Sequence, residues 1–178
     1  MGGKIQINRA PVMTLWAAVV AERLGWKRDE ALTLGRAVAG MNANAKAQRL
    51  GLREPAEPGE KAKRSATRAA ERVELLGRSV AVVRTSKGVR AAKDGSADSP
   101  EAVEKYLASK FGESLAEARA AMAKLAAAFT RDQLSSRAYV LYEKFRPQIP
   151  AGTAGWGAKG VLDLEALALL APRKAKRA

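Results

Sequence analysis

Between Val12 and Leu24 the apolar side chains Leu15, Trp16, Val19, Val20 and Leu24 recur at three- and four-residue steps, the period of an α-helix with one face turned to a core. Pro11 stands where a first turn tolerates proline, and Gly25 where a helix stops. This is a core helix, and the rest of the chain must cover it. It is not a membrane span: its best apolar stretch, Leu15 to Val20, runs into Glu22 and Arg23, far short of the eighteen or so residues a bilayer requires.

The covering elements read as helices for the most part. A second helix is expected from about Arg28 to Gly40, with Asp29 and Glu30 in its first turn, where they complement the helix dipole, and Leu32, Leu34 and Val38 as its apolar residues. A shorter helical piece follows from Asn44 to Leu50. Ala21, Gly25, Ala31 and Leu34 have the small-residue and turn-glycine spacing of a helix-turn-helix, but Asp29 and Glu30 would repel phosphates at its second helix, so two plain packed helices account for the pattern better.

A third helix is expected from about Glu60 to Leu76, between Pro58-Gly59 and Gly77. At 100° per residue Ala62, Ala66, Ala69, Val73 and Leu76 share one stripe, and Lys61, Arg64, Arg68 and Arg72 share another about 120° away, with Lys63 nearby in sequence. Like charges stacked this way repel by a few tenths of a kcal/mol per pair, and a polyanion would relieve them. The plain alternative is a solvated basic face. The valine-rich stretch Arg78 to Thr85, then Ser86-Lys87-Gly88, then Val89 to Lys93 reads as a β-hairpin, with Gly88 supplying the left-handed residue. Arg84, Lys87 and Arg90 cluster at its tip.

Helices, a basic amphipathic helix and a basic hairpin follow one another over residues 12–93 in an order that resembles a winged helix, which implies a DNA contact through the hairpin. Residues 43–93 carry 13 basic and 5 acidic side chains, and residues 94–171 carry 9 and 10. The expected division is a basic unit over 1–93, a near-neutral helical unit over 99–171 for dimerisation or docking, and a basic tail over 172–178. The seam between them is Lys93 to Ser99. The expected fold class is mainly α.

In the neutral stretch Ser99-Pro100 or Asp98 opens a helix that Gly112 ends. Ser114 with Glu117, and Thr130 with Gln133, read as capping boxes for two more. Leu115, Ala118, Met122, Leu125 and Phe129 form one stripe and Leu134, Ala138, Leu141 and Phe145 another, expected to face each other as a helical hairpin. Tyr139 and Tyr142 read as core rings at its edge. The glycine-rich stretch 152–160 has a Walker-like glycine spacing, but Lys159 comes one residue late with no Ser or Thr after it, so no nucleotide loop is expected. Trp156 and Lys159 remain a secondary contact for phosphate or a partner, against the plainer reading of a core plug. Asp163 can cap a last helix.

The chain contains no Cys and no His, which removes thiol nucleophiles, disulfides, Cys/His zinc sites and imidazole bases together. No Glu-x-Lys or Asp-x-Lys nuclease triplet occurs, and neither enzymatic activity, a cofactor nor a metal is expected. A net charge of +14 makes a polyanion the leading partner. The expectation is therefore a cytoplasmic, nucleoid-type DNA-binding or transcription-regulating protein. It would grip duplex DNA through Lys61, Lys63, Arg64, Arg68, Arg72, Arg84, Lys87 and Arg90, and would form a homodimer through residues 99–171 without a membrane. RNA, or an acidic protein met by an adaptor whose contact core is the Trp16 helix or the Trp156 loop, stands as the alternative.

Overall fold

Arg9–Arg23 forms helix α1, and every residue from Pro11 to Ala21 is buried. The apolar positions beyond the stripe explain this: Val12, Met13, Ala17, Ala18 and Ala21 face the other sides, so the helix is covered all round. Gly25, at φ +114°, ends it. The Trp26 N–H reaches back to the Ala21 carbonyl and the Gly25 N–H to that of Glu22, each at 3.0 Å, the paired bonds of a Schellman motif. The structure, a computed structural model, describes residues 4–49, 71–93, 96–147 and 160–171.

Helix α2, Arg28–Arg49, runs unbroken through the two pieces expected separately. It crosses α1 closely because Gly35 has no side chain: a Cβ there would lie 2.5 Å from the Thr14 carbonyl oxygen and 2.8 Å from the Ala18 nitrogen. Three further helices cover α1, namely α3 (Pro100–Phe111), α4 (Leu115–Ala127) and α5 (Arg131–Phe145). The stripes of α4 and α5 converge on α1 rather than chiefly on each other, so the expected helical hairpin is a cage around a third helix. Trp16 is fully buried, donates its indole N–H to the Ala138 carbonyl at 2.9 Å, and meets Phe145 edge-on at 5.2 Å. Tyr142 is buried beside Phe145, which places it in the core.

A mainly α class does not describe the chain. Helices take about 62% and strands about 23% of the structure, in two antiparallel sheets, so the fold is mixed α/β. One sheet pairs β1 (Lys4–Ile7) with β6 (Gly160–Asp163), Ile7 opposite Gly160, joining the two ends of the described chain. The other has the order β2 (Glu71–Leu75), β3 (Arg78–Thr85), β4 (Gly88–Lys93) and β5 (Ser96–Ala97). The expected hairpin is β3–β4.

The main correction is β2, which stands where the last turn of a basic helix was expected; the rest of that helix, from about Glu60, lies outside the described residues. Glu71-Arg72-Val73-Glu74-Leu75 fits either period, because Val73 and Leu76 suit a helical stripe while Val73 and Leu75 suit an alternating strand. Pairing decides it: Val73 lies opposite Val80 and Leu75 opposite Arg78. Gly77 is accordingly not a helix stop. Leu76 and Gly77, at φ 49° and 73°, make the two-residue turn of the β2–β3 hairpin. Leu76 is 5% exposed, and its burial offsets a backbone conformation that leucine seldom adopts.

The residues after Lys93 also return to the sheet. Ala97 pairs with Ala92, the Asp98 N–H donates to the Ala91 carbonyl, and the Asp98 carboxylate, 8% exposed, lies 4.0 Å from Arg36. Buried residues from both stretches form one cluster around α1. The change of charge near residue 94 therefore does not coincide with a gap in packing. Asp163 caps a short last helix, α6 (Leu164–Ala168), by accepting from the N–H groups of Glu165 and Ala166.

Candidate nucleic-acid interface

The four-stranded sheet has a buried face of Val73, Leu75, Val80, Val82, Val89 and Ala91, which the register places on the same side. Arg84 belongs to that side but lies beyond its covered part. It is exposed, and its Nε donates to Glu71 Oε1 at 2.7 Å across β2–β3. That hydrogen bond holds the Glu71 carboxyl below the ordinary carboxylate range and raises the Arg84 guanidinium. Arg72, opposite Ala81, projects from the other side. Its Nε donates to Ser79 Oγ at 2.7 Å and its Nη2 to the Ser79 carbonyl at 3.0 Å, so the guanidinium lies along the outer surface. Lys87 is exposed at the tip of the β3–β4 turn, where Thr85 Oγ1 donates to the Gly88 carbonyl at 2.7 Å.

Antiparallel register fixes where the preceding chain enters. Glu71 lies opposite Val82, so β2 begins at the end of the sheet that carries Arg84 and Lys87. Arg68 is three peptide units from Glu71, at most about 11 Å between Cα atoms. Lys61, Lys63, Arg64 and Arg68 lie outside the described residues, as do Trp156 and Lys159.

Arg90 does not join this group. It is 6% exposed, its Nη1 donates to the Val89 carbonyl at 3.0 Å, and its Nη2 is 4.0 Å from Asp29 on α2. The reason is a tie between α2 and β4 that sequence reasoning gave only a dipole role. Glu30 is 9% exposed and accepts from the Lys27 N–H at 3.1 Å and the Val89 N–H at 2.8 Å. One turn later Thr33 Oγ1 accepts from the Ala91 N–H at 3.0 Å and donates to the Glu30 carbonyl. Two backbone donors of β4 that no strand pairs are thus satisfied by helix side chains.

Burial pushes the Glu30 carboxyl up, but the N–H groups of Val89 and Lys27, with the charges of Lys27 and Arg90, more than reverse this and hold it below its ordinary value. Gly88 leaves the room this needs: a Cβ there would stand 2.9 Å from Glu30 Oε2, and its φ of +118° already favours glycine. The sequence signals were present, a Glu and a Thr three apart at a helix start and a Gly in a hairpin turn. What linked them was 59 residues of chain.

The charge at this end is therefore mixed. Arg72, Arg84 and Lys87 are exposed cations, with Glu71 and Asp29 among them, and Glu101 at the start of α3 feels the charges of Lys87 and Arg90. A second cationic corner joins Arg9, whose Nε donates to the Pro147 carbonyl at 2.9 Å, to Arg146. Burial and the Arg146 charge lower the Arg9 guanidinium there. Burial pushes the neighbouring Tyr142 hydroxyl up to about 12. Trp16 has no surface to offer a partner. Among the described residues there is no group of three or more metal-ligating side chains, and no helix is long and apolar enough to cross a membrane. The sequence matches no protein-family model and no curated protein, and the structure matches no solved one.

Proposed function

We propose that this is a non-enzymatic nucleic-acid-binding protein that grips duplex DNA through its phosphates at the hairpin-tip end of the four-stranded sheet. The observation that carries the reading is the register: Arg84 and Lys87 come to the end of the sheet at which the chain enters β2 from the basic stretch 61–68, and Arg72 follows that entry with its guanidinium laid along the outer face toward Ser79. On a chain of net charge +14, the basic stretch 61–68 thus leads in sequence directly into the strand beside exposed cations. Lys87 offers a point charge at the tip. Arg72 offers a fixed guanidinium on the outer face, and a phosphate competes with Glu71 for Arg84.

Lys61, Lys63, Arg64 and Arg68 complete the grip, with Trp156 and Lys159 as a secondary contact, whereas Arg90 contributes by anchoring β4 to α2. The reading extends to a protein of the cytoplasm or nucleoid that takes part in transcription regulation.

Fluorescence anisotropy of duplex DNA, single-stranded DNA and RNA at two salt concentrations tests the reading. The expected result is salt-steep binding that favours the duplex. Lys87→Gln and Arg72→Gln should each weaken binding to all sequences alike and flatten the salt dependence by about one unit of slope. Unchanged binding in an Arg64/Arg68/Arg72→Ala variant would sink the assignment, and preference for structured RNA would move the ligand to RNA.

A further inference from the structure

Away from the sheet, α4 and α6 enclose an open groove of about 650 Å³. Ala120, Ala121, Leu125, Leu164, Ala168 and Ala171 make it apolar, and Glu117, Lys124 and Glu165 stand on its rim. Directly after Ala168 comes Leu169, which is 83% exposed, the most exposed large apolar side chain among the described residues. Leu169 closes the helix that lines the groove, about 100° round from Ala168 and next to the rim residue Glu165, so hole and knob are carried by the same short element.

We propose that this surface binds a second copy of the chain, Leu169 of each copy filling the groove of the other about a two-fold axis. Two properties select that occupant. A two-fold interface has to be self-complementary, carrying both the feature that inserts and the feature that receives it, and this one does. Its rim is self-complementary in charge as well, since Lys124 of one copy can meet Glu117 or Glu165 of the other.

The charge distribution points the same way. Two chains of +14 repel through most of their surfaces, and residues 94–171, with 9 basic and 10 acidic side chains, are where that repulsion vanishes. The expected homodimer through residues 99–171 acquires a specific contact, and it holds whether or not the sheet end binds nucleic acid.

Sedimentation equilibrium or light scattering of the full chain, over a roughly hundredfold range of concentration, reads the assembly. The wild type should pass from monomer to dimer. Leu169→Glu and Ala120→Glu should each raise the dissociation constant roughly tenfold or more, since each buries a charge at the centre of the contact. Leu169 is exposed in the monomer, so L169E should leave circular dichroism and thermal unfolding of the monomer intact. Val140→Glu, on an exposed α5 position, is the control that should leave the dimer unchanged. A chain that stays monomeric throughout, or a dimer that L169E and A120E leave untouched, overturns the proposal.

Discussion

The cage around α1 and the tip of the four-stranded sheet are held by different physics. In the cage every neighbour contributes apolar area, and the position of any one residue is over-determined by many contacts: Trp16 alone is packed against Phe145 and tied to Ala138. At the sheet tip the apolar face of the sheet is supplemented by a polar tie to the helical body through two side chains, Glu30 and Thr33, each accepting one β4 N–H. The contrast teaches where this fold can spare a residue and where it can be altered locally.

The largest effect belongs in the cage. Trp16→Ala removes a fully buried indole, leaves a cavity between α1 and α5, and frees the Ala138 carbonyl of its partner. Such a truncation costs about 3–5 kcal/mol, a large share of the roughly 5–15 kcal/mol that holds a domain folded. Urea unfolding should show the unfolding free energy falling by that amount, through a lower midpoint at an unchanged slope. A loss under about 1 kcal/mol would mean that α1 is not the hub of the core.

At the sheet tip the expected loss is smaller and depends on pH. Glu30→Gln keeps the shape but replaces a charged acceptor of two N–H groups by a neutral one, a change of about 1–3 kcal/mol. The folded Glu30 carboxyl titrates below its unfolded value of 4.5, so the unfolded chain takes up its proton first as pH falls. The stabilisation is therefore full above the unfolded value and is lost as pH drops through the folded one. As pH falls through and below the unfolded value, wild type should lose stability more steeply than E30Q, and the gap between the two should close at the acid end. Parallel curves would remove Glu30 from the tie.

The same contrast governs what could be read from the sequence. The helices of the cage announce themselves by local period: the stripes at Leu15 to Leu24 and Leu134 to Phe145 need nothing beyond their own spacing, and the hairpin at Arg78 to Lys93 is equally local. What the sequence concealed was pairing at a distance. β1 and β6 are four residues each, drawn from opposite ends of the chain, and neither carries a signal by itself. β2 carries two signals at once, and only its partner chooses between them. The Leu76-Gly77 turn lacks the Asn or Asp that marks such turns. Arg90 looked like its neighbours Arg84 and Lys87 because charge alone does not tell that α2 lies along the edge of β4. Thus two of the exposed cations, Arg84 and Lys87, were legible as surface from the hairpin alone, while Arg72 was placed on the wrong kind of element.

The smallest test compares two serines that look alike in sequence. Ser99 and Ser114 both precede helices, and Ser114 with Glu117 has the stronger capping-box pattern. Ser99 does act as a cap: its backbone is extended, its Oγ accepts from the Ala102 N–H at 3.2 Å, and Pro100 fills the first turn. Ser114 has helical backbone angles because the turn Gly112–Ser114 already leads into α4, and its side chain makes no cap bond. Capping requires the extended backbone that aims the oxygen at the open N–H groups, and residue type without that backbone does nothing. Ser99→Ala should therefore cost about 1 kcal/mol in thermal or urea unfolding, and Ser114→Ala no more than a few tenths. Equal losses at the two positions would mean that the turn before α4 opens and lets Ser114 cap as its sequence suggests, in which case α4, one wall of the groove, would begin at Leu115 without the turn Gly112–Ser114 leading into it.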